Sequence, residues 1–395
     1  MRERGVSGMV RVMRIAELRV REPYDLIARR SLNRLLTTWA GSEVGFTPLE
    51  GLGGVGPSTG QRWWVQEQLS AYVLPEASPA VWTFLADGFR HTQVRSRRFA
   101  QYVLGTALAS PSGLWCAGRP AFSLRSPIAG AEDLVIVPGN RRMRLFDLAS
   151  GRTRTLVKDG ADPGILKAEI ALRTSAPSGA PFPPIVGVGA DWFDEPIAPG
   201  LPLPRVNDAG TYARAQAAAL AQLDQWASPR AREVPGQDYV EDLALRAEAA
   251  AHRLQIQTVF PHVFNNLPVN AFGRVTLVPS HGDCQAGNVV VAPTGESTWI
   301  DWEFTGERSR LYDRLTWALG LRFPVGLQAR VEVERHAPSP ASGLPSRPRE
   351  RANAIALALL EDLVLMLDAR ASIGLRGAPP GLSELLLAFE SVVRP

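Results

Sequence analysis

Residues 278–304 read VPSHGDCQAGNVVVAPTGESTWIDWEF. It holds H-G-D-x-x-x-x-N, with Asp283 and Asn288 five residues apart, then I-D-W-E, whose Asp301 lies thirteen residues after Asn288. Between them, VVVAP and TWID flank the turn TGES, which is the pattern of a β-hairpin. Centred between Thr294 and Gly295, that hairpin puts Asn288 opposite Asp301. It would deliver an amide oxygen and a carboxylate side by side, close to a loop bearing a second carboxylate. Hard oxygen ligands at a few positions, leaving room for phosphate oxygens, suit magnesium. Asp283, one short loop away, is placed to orient a substrate hydroxyl and accept its proton. A polar hairpin with incidental acids would not need both halves of the motif at this spacing.

Upstream, residues 130–200 read as short strands. DLVIVP (133–138), MRLFDL (143–148) and TRTLVK (153–158) are separated by the turns GNRR and ASGR, a three-stranded meander. A helix follows, capped by Asp162, with Pro163 in its first turn and ILKAEIALR continuing it. Ile165, Ala168 and Leu172 form its apolar stripe, and Glu169 lies on that stripe. PIVGVG (184–189) and DWFDEPI (191–197) read as two more strands before the linker APGLPLP (198–204). Residues 207–256 return to helix, as do 308–321 and 350–370, and the Pro/Ser-rich stretch 336–350 reads as a mobile loop. Residues 1–125 read as mainly helical, over 24–40, 61–74 and 79–108.

The wording HGD…GN and IDWE resembles the aminoglycoside phosphotransferase/choline kinase superfamily. Protein kinases share the working core of a catalytic-loop Asp, an Asn five later and a metal-binding Asp. Here Gly282 stands for the Arg of H-R-D, and D-W-E stands for D-F-G. The resemblance covers about residues 130–395. It implies an α+β, protein-kinase-like bilobal fold: a five-stranded antiparallel small lobe (126–200), a mainly helical large catalytic lobe (201–395) and an N-terminal helical extension (1–125). It implies ATP and Mg2+ as cofactors and transfer of the γ-phosphoryl group to a small-molecule hydroxyl. Asp283 would then be the catalytic base, and Asn288 and Asp301 the metal ligands.

The same resemblance asks for a lysine on the third small-lobe strand and a glutamate on the next helix. Lys158 ends the third strand and Glu169 lies on the inward stripe, where an acid needs a partner. Their ion pair would aim the ammonium at nucleotide phosphates. Lys167, two residues from Glu169, falls on another face and reads as exposed. The phosphate-covering position falls on PGNRR (138–142), which has only Gly139 in place of G-x-G-x-x-G; Arg141 or Arg142 would supplement it or lie on the surface. Glu195 falls where the hinge binds adenine through backbone groups. His281 reads as a brace for the loop and Cys284 as packing; Asp313 resembles the family acid that supports the loop from a helix, or is a plain helix acid.

A second glycine pattern, GLGGVG (51–56), matches G-x-G-x-x-G. No lysine follows it within 100 residues, and Pro57-Ser58-Thr59 delays any helix, so it reads as a turn between helices.

Composition sets the outer limits. The 395 residues, 45% hydrophobic and 21% charged, suit an ordinary globular protein of two to three domains. No run of about 18 apolar residues predicts a membrane span, and the N-terminus lacks a secretory pattern, so a cytoplasmic location is expected. Two cysteines, Cys116 and Cys284, make no disulfide framework. Of 43 basic residues only Lys158 and Lys167 are lysines, which restricts any lysine chemistry to two positions. Residues 1–125 carry 16 Arg against 9 acids, more in keeping with a solvated helical surface than with nucleic-acid binding. The expected partner is a small-molecule hydroxyl substrate, with neither nucleic acid nor membrane. The competing class is a non-catalytic nucleotide-binding pseudokinase, against which the intact Lys158, Asp283, Asn288 and Asp301 set argues.

Overall fold

Helices α1 (Ile15–Arg21) and α2 (Tyr24–Ala40) precede strand β1 (Phe46–Pro48) in the computed structural model of the chain. The structure describes residues 15–49, 60–89, 95–177, 179–206, 208–256 and 273–393; the GLGGVG segment, with Gly51, Gly53 and Gly56, lies outside them. By its contacts the chain forms two units, Met1–Leu166 with Pro183–Ile197, and Lys167–Phe182 with Ala198–Pro395.

The first unit corrects one expectation. QRWWVQEQLSAYVL folds as a hairpin and not as a helix: β2 (Gln61–Gln66) pairs with β3 (Ala71–Val73), with Val65 opposite Tyr72. Trp63, Val65 and Tyr72 pack in one cluster with Leu18, Leu32 and Leu35, while Trp64, Ala71 and Val73 pack in another with Val81, Trp82 and Leu114. A strand buried on both faces is apolar throughout and loses the alternation that marks strands in a sequence. The expected helix 79–108 is two, α3 (Pro79–Phe89) and α4 (Arg95–Leu108), followed by α5 (Pro111–Ala117) and β4 (Arg119–Leu124).

The meander forms as read, from β5 (Leu134–Pro138), β6 (Arg142–Asp147) and β7 (Arg152–Val157). Helix α6 (Gly164–Thr174) follows, its Gly164 N–H donating to Asp162 Oδ1 at 2.8 Å, and then β8 (Gly187–Val188) and β9 (Trp192–Pro196). These strands lie in the order β5-β6-β7-β9-β8, the five expected of a small lobe. The sheet continues past β5 into β3, where Tyr72 faces Ile136, and then β2, β4 and β1, so it has nine strands. The first 125 residues therefore supply strands to the small-lobe sheet as well as helices.

The second unit contains β10 (Leu201–Pro202), α7 (Ala209–Ala227), β11 (Arg232–Pro235), α8 (Gly236–Leu254), β12 (Arg274–Ser280), β13 (Val289–Val291), β14 (Ser297–Trp299) and β15 (Gly306–Ser309). Helices α9 (Tyr312–Leu319), α10 (Leu327–His336), α11 (Pro348–Ala371) and α12 (Leu382–Val393) complete it. α11 is buried all along Ile355–Val364, the mark of a central helix, and packs with α8 and α12 in the main core. A second cluster, with Trp226, Trp299 and Trp302, lies under the β13–β14 hairpin. The proline-rich linker belongs to this unit, since Leu201 pairs with Val291. The Pro/Ser-rich stretch is closed by Ser339 N–H on Glu334 (2.9 Å) and by Arg314 on the Ala341 carbonyl (3.1 Å).

Candidate active site

Strand β12 ends in Ser280, and the chain turns sharply through His281, Gly282 and Asp283. Gly282 has φ +82°, and a Cβ there would lie 2.0 Å from the Phe304 carbonyl oxygen. Gly282 thus lets the H-G-D loop lie against the backbone that follows I-D-W-E. An arginine at this position would meet that backbone first.

The loop is held from below by Asp313, in the first turn of α9. Its Oδ2 accepts from the His281 N–H at 2.7 Å, and its Oδ1 accepts from Gly282 N–H and Ser280 Oγ, each at 3.0 Å. Asp313 is therefore a loop support and not a surface acid. His281 braces the loop from the side. Its Nδ1 accepts from the Asp283 N–H at 3.2 Å, so Nε2 carries the proton and donates to the Ile300 carbonyl at 2.9 Å. The ring, fully buried, sits 5.2 Å from Trp299 and 4.7 Å from Trp302. One imidazole thus ties the H-G-D loop to the I-D-W segment.

Asn288 donates Nδ2 to Asp283 Oδ2 (2.8 Å) and to the Asp283 carbonyl (2.9 Å). Its amide nitrogen is committed to Asp283, which turns the carbonyl oxygen Oδ1, a hard donor, to other use. The hairpin register differs by one from the expected one. Val289 faces Trp299 and Val291 faces Ser297, so Asn288 stands beside Ile300, whose N–H donates to the Asn288 carbonyl at 2.9 Å. Asp301 comes one residue later, in the left-handed region at φ +65°. That conformation costs a non-glycine residue roughly 1–2 kcal/mol, is better tolerated by Asp, and is the sort of strain that collects at functional sites. It breaks strand alternation, so simple hairpin counting does not reach Asp301. Two hard oxygen donors on adjoining backbone suit magnesium.

Sequence reasoning missed Arg322, just past the end of α9. Its Nε donates to Asp283 Oδ1 at 2.7 Å, Nη1 reaches Asp362 Oδ1 at 2.9 Å, and Nη2 donates to the Gly282 carbonyl at 2.5 Å and Tyr312 Oη at 3.1 Å. Burial alone would push the guanidinium down, but the carboxylates of Asp362 and Asp283, with Tyr312, hold it well above its ordinary value. Asp362, fully buried on α11, also accepts from Tyr312 Oη at 2.8 Å. Gln285 donates to Asp283 Oδ2 at 2.9 Å. Nothing in the spacing marks Arg322 among 41 arginines. Cys284 is fully buried, and burial, then Asp313 and Asp283, push its thiol well up, which suits packing and not nucleophilic chemistry.

Residues 173–349 match the model of the phosphotransferase enzyme family, APH. Among solved structures, a thermostable mutant of aminoglycoside phosphotransferase APH(4)-Ia in apo form is similar at 16% identity, over 66% of this chain and 94% of that one, with TM-score 0.44. Choline kinase LicA from Streptococcus pneumoniae is similar at 12% identity, over 68% of this chain and 92% of that one, with TM-score 0.42. ADP-bound aminoglycoside phosphotransferase APH(2'')-Ib is similar at 13% identity, over 65% and 92% of the two chains, with TM-score 0.43. No curated protein matches the chain in sequence.

The matched residues 173–349 include Asp283, Asn288 and Asp301, all on the second unit. Glu169 is also in that unit, buried on α6, with Arg173 Nη1 on its Oε1 at 2.8 Å. The buried side of α6 runs through Leu166, Glu169 and Arg173, while Ala168 is exposed, so the stripe is rotated from the one read in sequence. Lys167 is exposed, as expected.

The remaining candidates lie in the first unit. Lys158, at the end of β7, is buried, its Nζ donating to the Gly139 and Asn140 carbonyls at 3.3 and 3.2 Å. Gly139 starts the tight β5–β6 turn, its N–H on the Arg142 carbonyl at 2.7 Å. Arg141 and Arg142 are buried in that turn and do not lie on the surface. Glu195 lies on β9 opposite Thr153, and β8 pairs only as far as Asp194. Among the described residues no helix is long and apolar enough to cross a membrane.

Proposed function

We propose that the chain is an ATP-dependent small-molecule kinase that moves the γ-phosphoryl group of Mg-ATP to a substrate hydroxyl. The observation that carries this reading is the Asp283–Asn288 pair: one amide holds the carboxylate by its nitrogen and keeps its oxygen for a cation. The acceptor hydroxyl gives its proton to the Asp283 carboxylate as its oxygen attacks the γ-phosphorus. The bond from that phosphorus to the β,γ-bridging oxygen breaks, and ADP leaves. Asn288 Oδ1 and Asp301 are the oxygen donors for Mg2+, which when bound neutralises charge on the phosphates. Lys158 orients the phosphates under the Gly139 turn, and the backbone at Glu195 takes the adenine. Catalysis is then mainly positioning and electrostatics. A cytoplasmic location and a small hydroxyl compound as substrate belong to the same reading.

The test is substrate-dependent ATP consumption across a panel of small hydroxyl compounds, with Asp283→Asn beside the wild type. Turnover should vanish in the variant while Mg-ATP still raises its melting temperature. Ligand at about 100 times its dissociation constant stabilises by about 2.7 kcal/mol. Retained turnover in Asp283→Asn removes the base assignment. Nucleotide binding without consumption on any hydroxyl compound favours the pseudokinase.

A further inference from the structure

Lys158 is the lysine that the proposed function needs, and its ammonium carries three donors. Among its contacts, Nζ donates to the Gly139 and Asn140 carbonyls, at the long distances of 3.3 and 3.2 Å, and forms a short ion pair with the Glu22 carboxylate. With the Lys158 side chain 1% exposed, such a cation is tolerable only beside an anion. Tyr24 flanks the same ammonium, its ring centroid 5.5 Å from Nζ.

Glu22 comes from the junction of α1 and α2, far outside the matched family region. Its N–H donates to the Leu18 carbonyl at 3.0 Å, and Pro23 follows it, so the carboxylate hangs from a fixed corner. Helix α2 also grips the chain on both sides of Lys158. Ser31 Oγ accepts from the Asp159 N–H at 2.8 Å, Arg30 reaches Asp159 at 3.2 Å, and Arg34 donates to the Val157 carbonyl. Further along, Arg154 donates to the Thr38 carbonyl.

We infer that Glu22 is a positioning residue for nucleotide binding: it holds the Lys158 ammonium in place, and the N-terminal helices are thereby part of the nucleotide site. The two long bonds to the turn carbonyls are the exchangeable ones. Phosphate oxygens replace them when nucleotide binds, and the Glu22 pair stays. This inference rests on the kinase reading of Lys158.

The test is the dissociation constant of a fluorescent ATP analogue with Mg2+ for wild type, Glu22→Gln, Lys158→Met and the double variant, with KM for ATP and kcat wherever turnover is found. Glu22→Gln should weaken binding about tenfold or more, the scale of one lost charge-assisted hydrogen bond. In the Lys158→Met background the same change should have less than a twofold effect, which a merely structural role would not produce. KM for ATP should rise by more than kcat falls. Equal or tighter binding by Glu22→Gln overturns the inference, since the carboxylate would then be idle or a competitor of phosphate. Should Glu22→Gln not fold, Glu22→Asp decides: it keeps the charge on a shorter stem, and unchanged affinity in it also overturns the inference. A wild type that binds no Mg-nucleotide overturns the kinase reading first.

Discussion

Replacing Arg322 by Met removes the cation between two carboxylates and leaves a side chain of similar length. In the wild type, Asp362 is 0% exposed; among the described residues its Oδ1 receives only Arg322 Nη1 and Tyr312 Oη, and its Oδ2 has no hydrogen-bond partner. Without Arg322 that charge is buried with one hydroxyl for company. Breaking a buried pair from one side costs about 3–5 kcal/mol. For a unit of this size the loss lowers Tm by about 6–20 °C, at about 2–4 °C per kcal/mol. Urea and thermal unfolding of Arg322→Met, Asp362→Asn and the double variant measure it directly. The double variant should recover part of the loss, with a coupling of at least about 1 kcal/mol, because neutral Asn needs no cation. Arg322→Lys should not substitute, since one ammonium cannot span Asp283, Asp362 and the Gly282 carbonyl. Where turnover is measurable, kcat should fall more than KM for ATP rises, because Arg322 touches the proposed base. Stability of Arg322→Met within about 0.5 kcal/mol of wild type, the range of an ordinary surface substitution, would mean that the buried Asp362 does not depend on the Arg322 cation.

Three further outcomes are expected. Gly282→Ala must both leave the left-handed region and displace the Phe304 carbonyl, 2.0 Å from its Cβ, so it should lose more than the roughly 1–2 kcal/mol of the backbone term alone; a stable, active variant in urea unfolding contradicts the close approach. In the native protein a thiol reagent should label exposed Cys116 and spare Cys284, whose thiol is buried and pushed well up, until denaturant is added; two fast thiols at pH 8 argue against that burial. Glu361 is raised above the usual carboxylate range by burial, against hydrogen bonds from Ser309 and Tyr239. A carboxyl raised in the folded state favours folding below its unfolded value and loses that contribution as pH rises through the folded one. Wild type should therefore lose stability relative to Glu361→Gln between pH 4.5 and 7.5 in urea unfolding, and a relative gain over that range reverses the assignment.

The legible parts of the chain share a cause. The meander 133–158 alternates and is cut by turn residues, and α2 and α8 have their expected periods, because each has one face in the core and one outside it. Asp283 and Asn288 are marked in the sequence by their spacing, but the hydrogen bond between them appears only in the structure. The β2–β3 hairpin was not readable: Trp63 and Trp64 face opposite clusters and are both buried, so no period separates strand from helix. The hairpin register was missed by one residue because the centre of a turn is decided by its backbone, and at Asp301 a left-handed residue ends the ladder. Arg322, Asp362 and Glu22 carry no spacing signal.

The sequence carries the local pattern: the types and spacing of Asp283, Asn288 and Asp301, the scarcity of lysine that singles out Lys158, and the glycine that an H-G-D loop needs. These are local, set by residues a few positions apart on one strand or turn. Only the tertiary structure decided what surrounds them. It brought Arg322 and Asp362 onto the H-G-D loop, Asp313 beneath it, and Glu22, 136 residues away, onto Lys158. A buried charge must be matched by whatever the fold brings near it, and the fold is set by hydrophobic burial over the whole chain, which no short window of sequence contains.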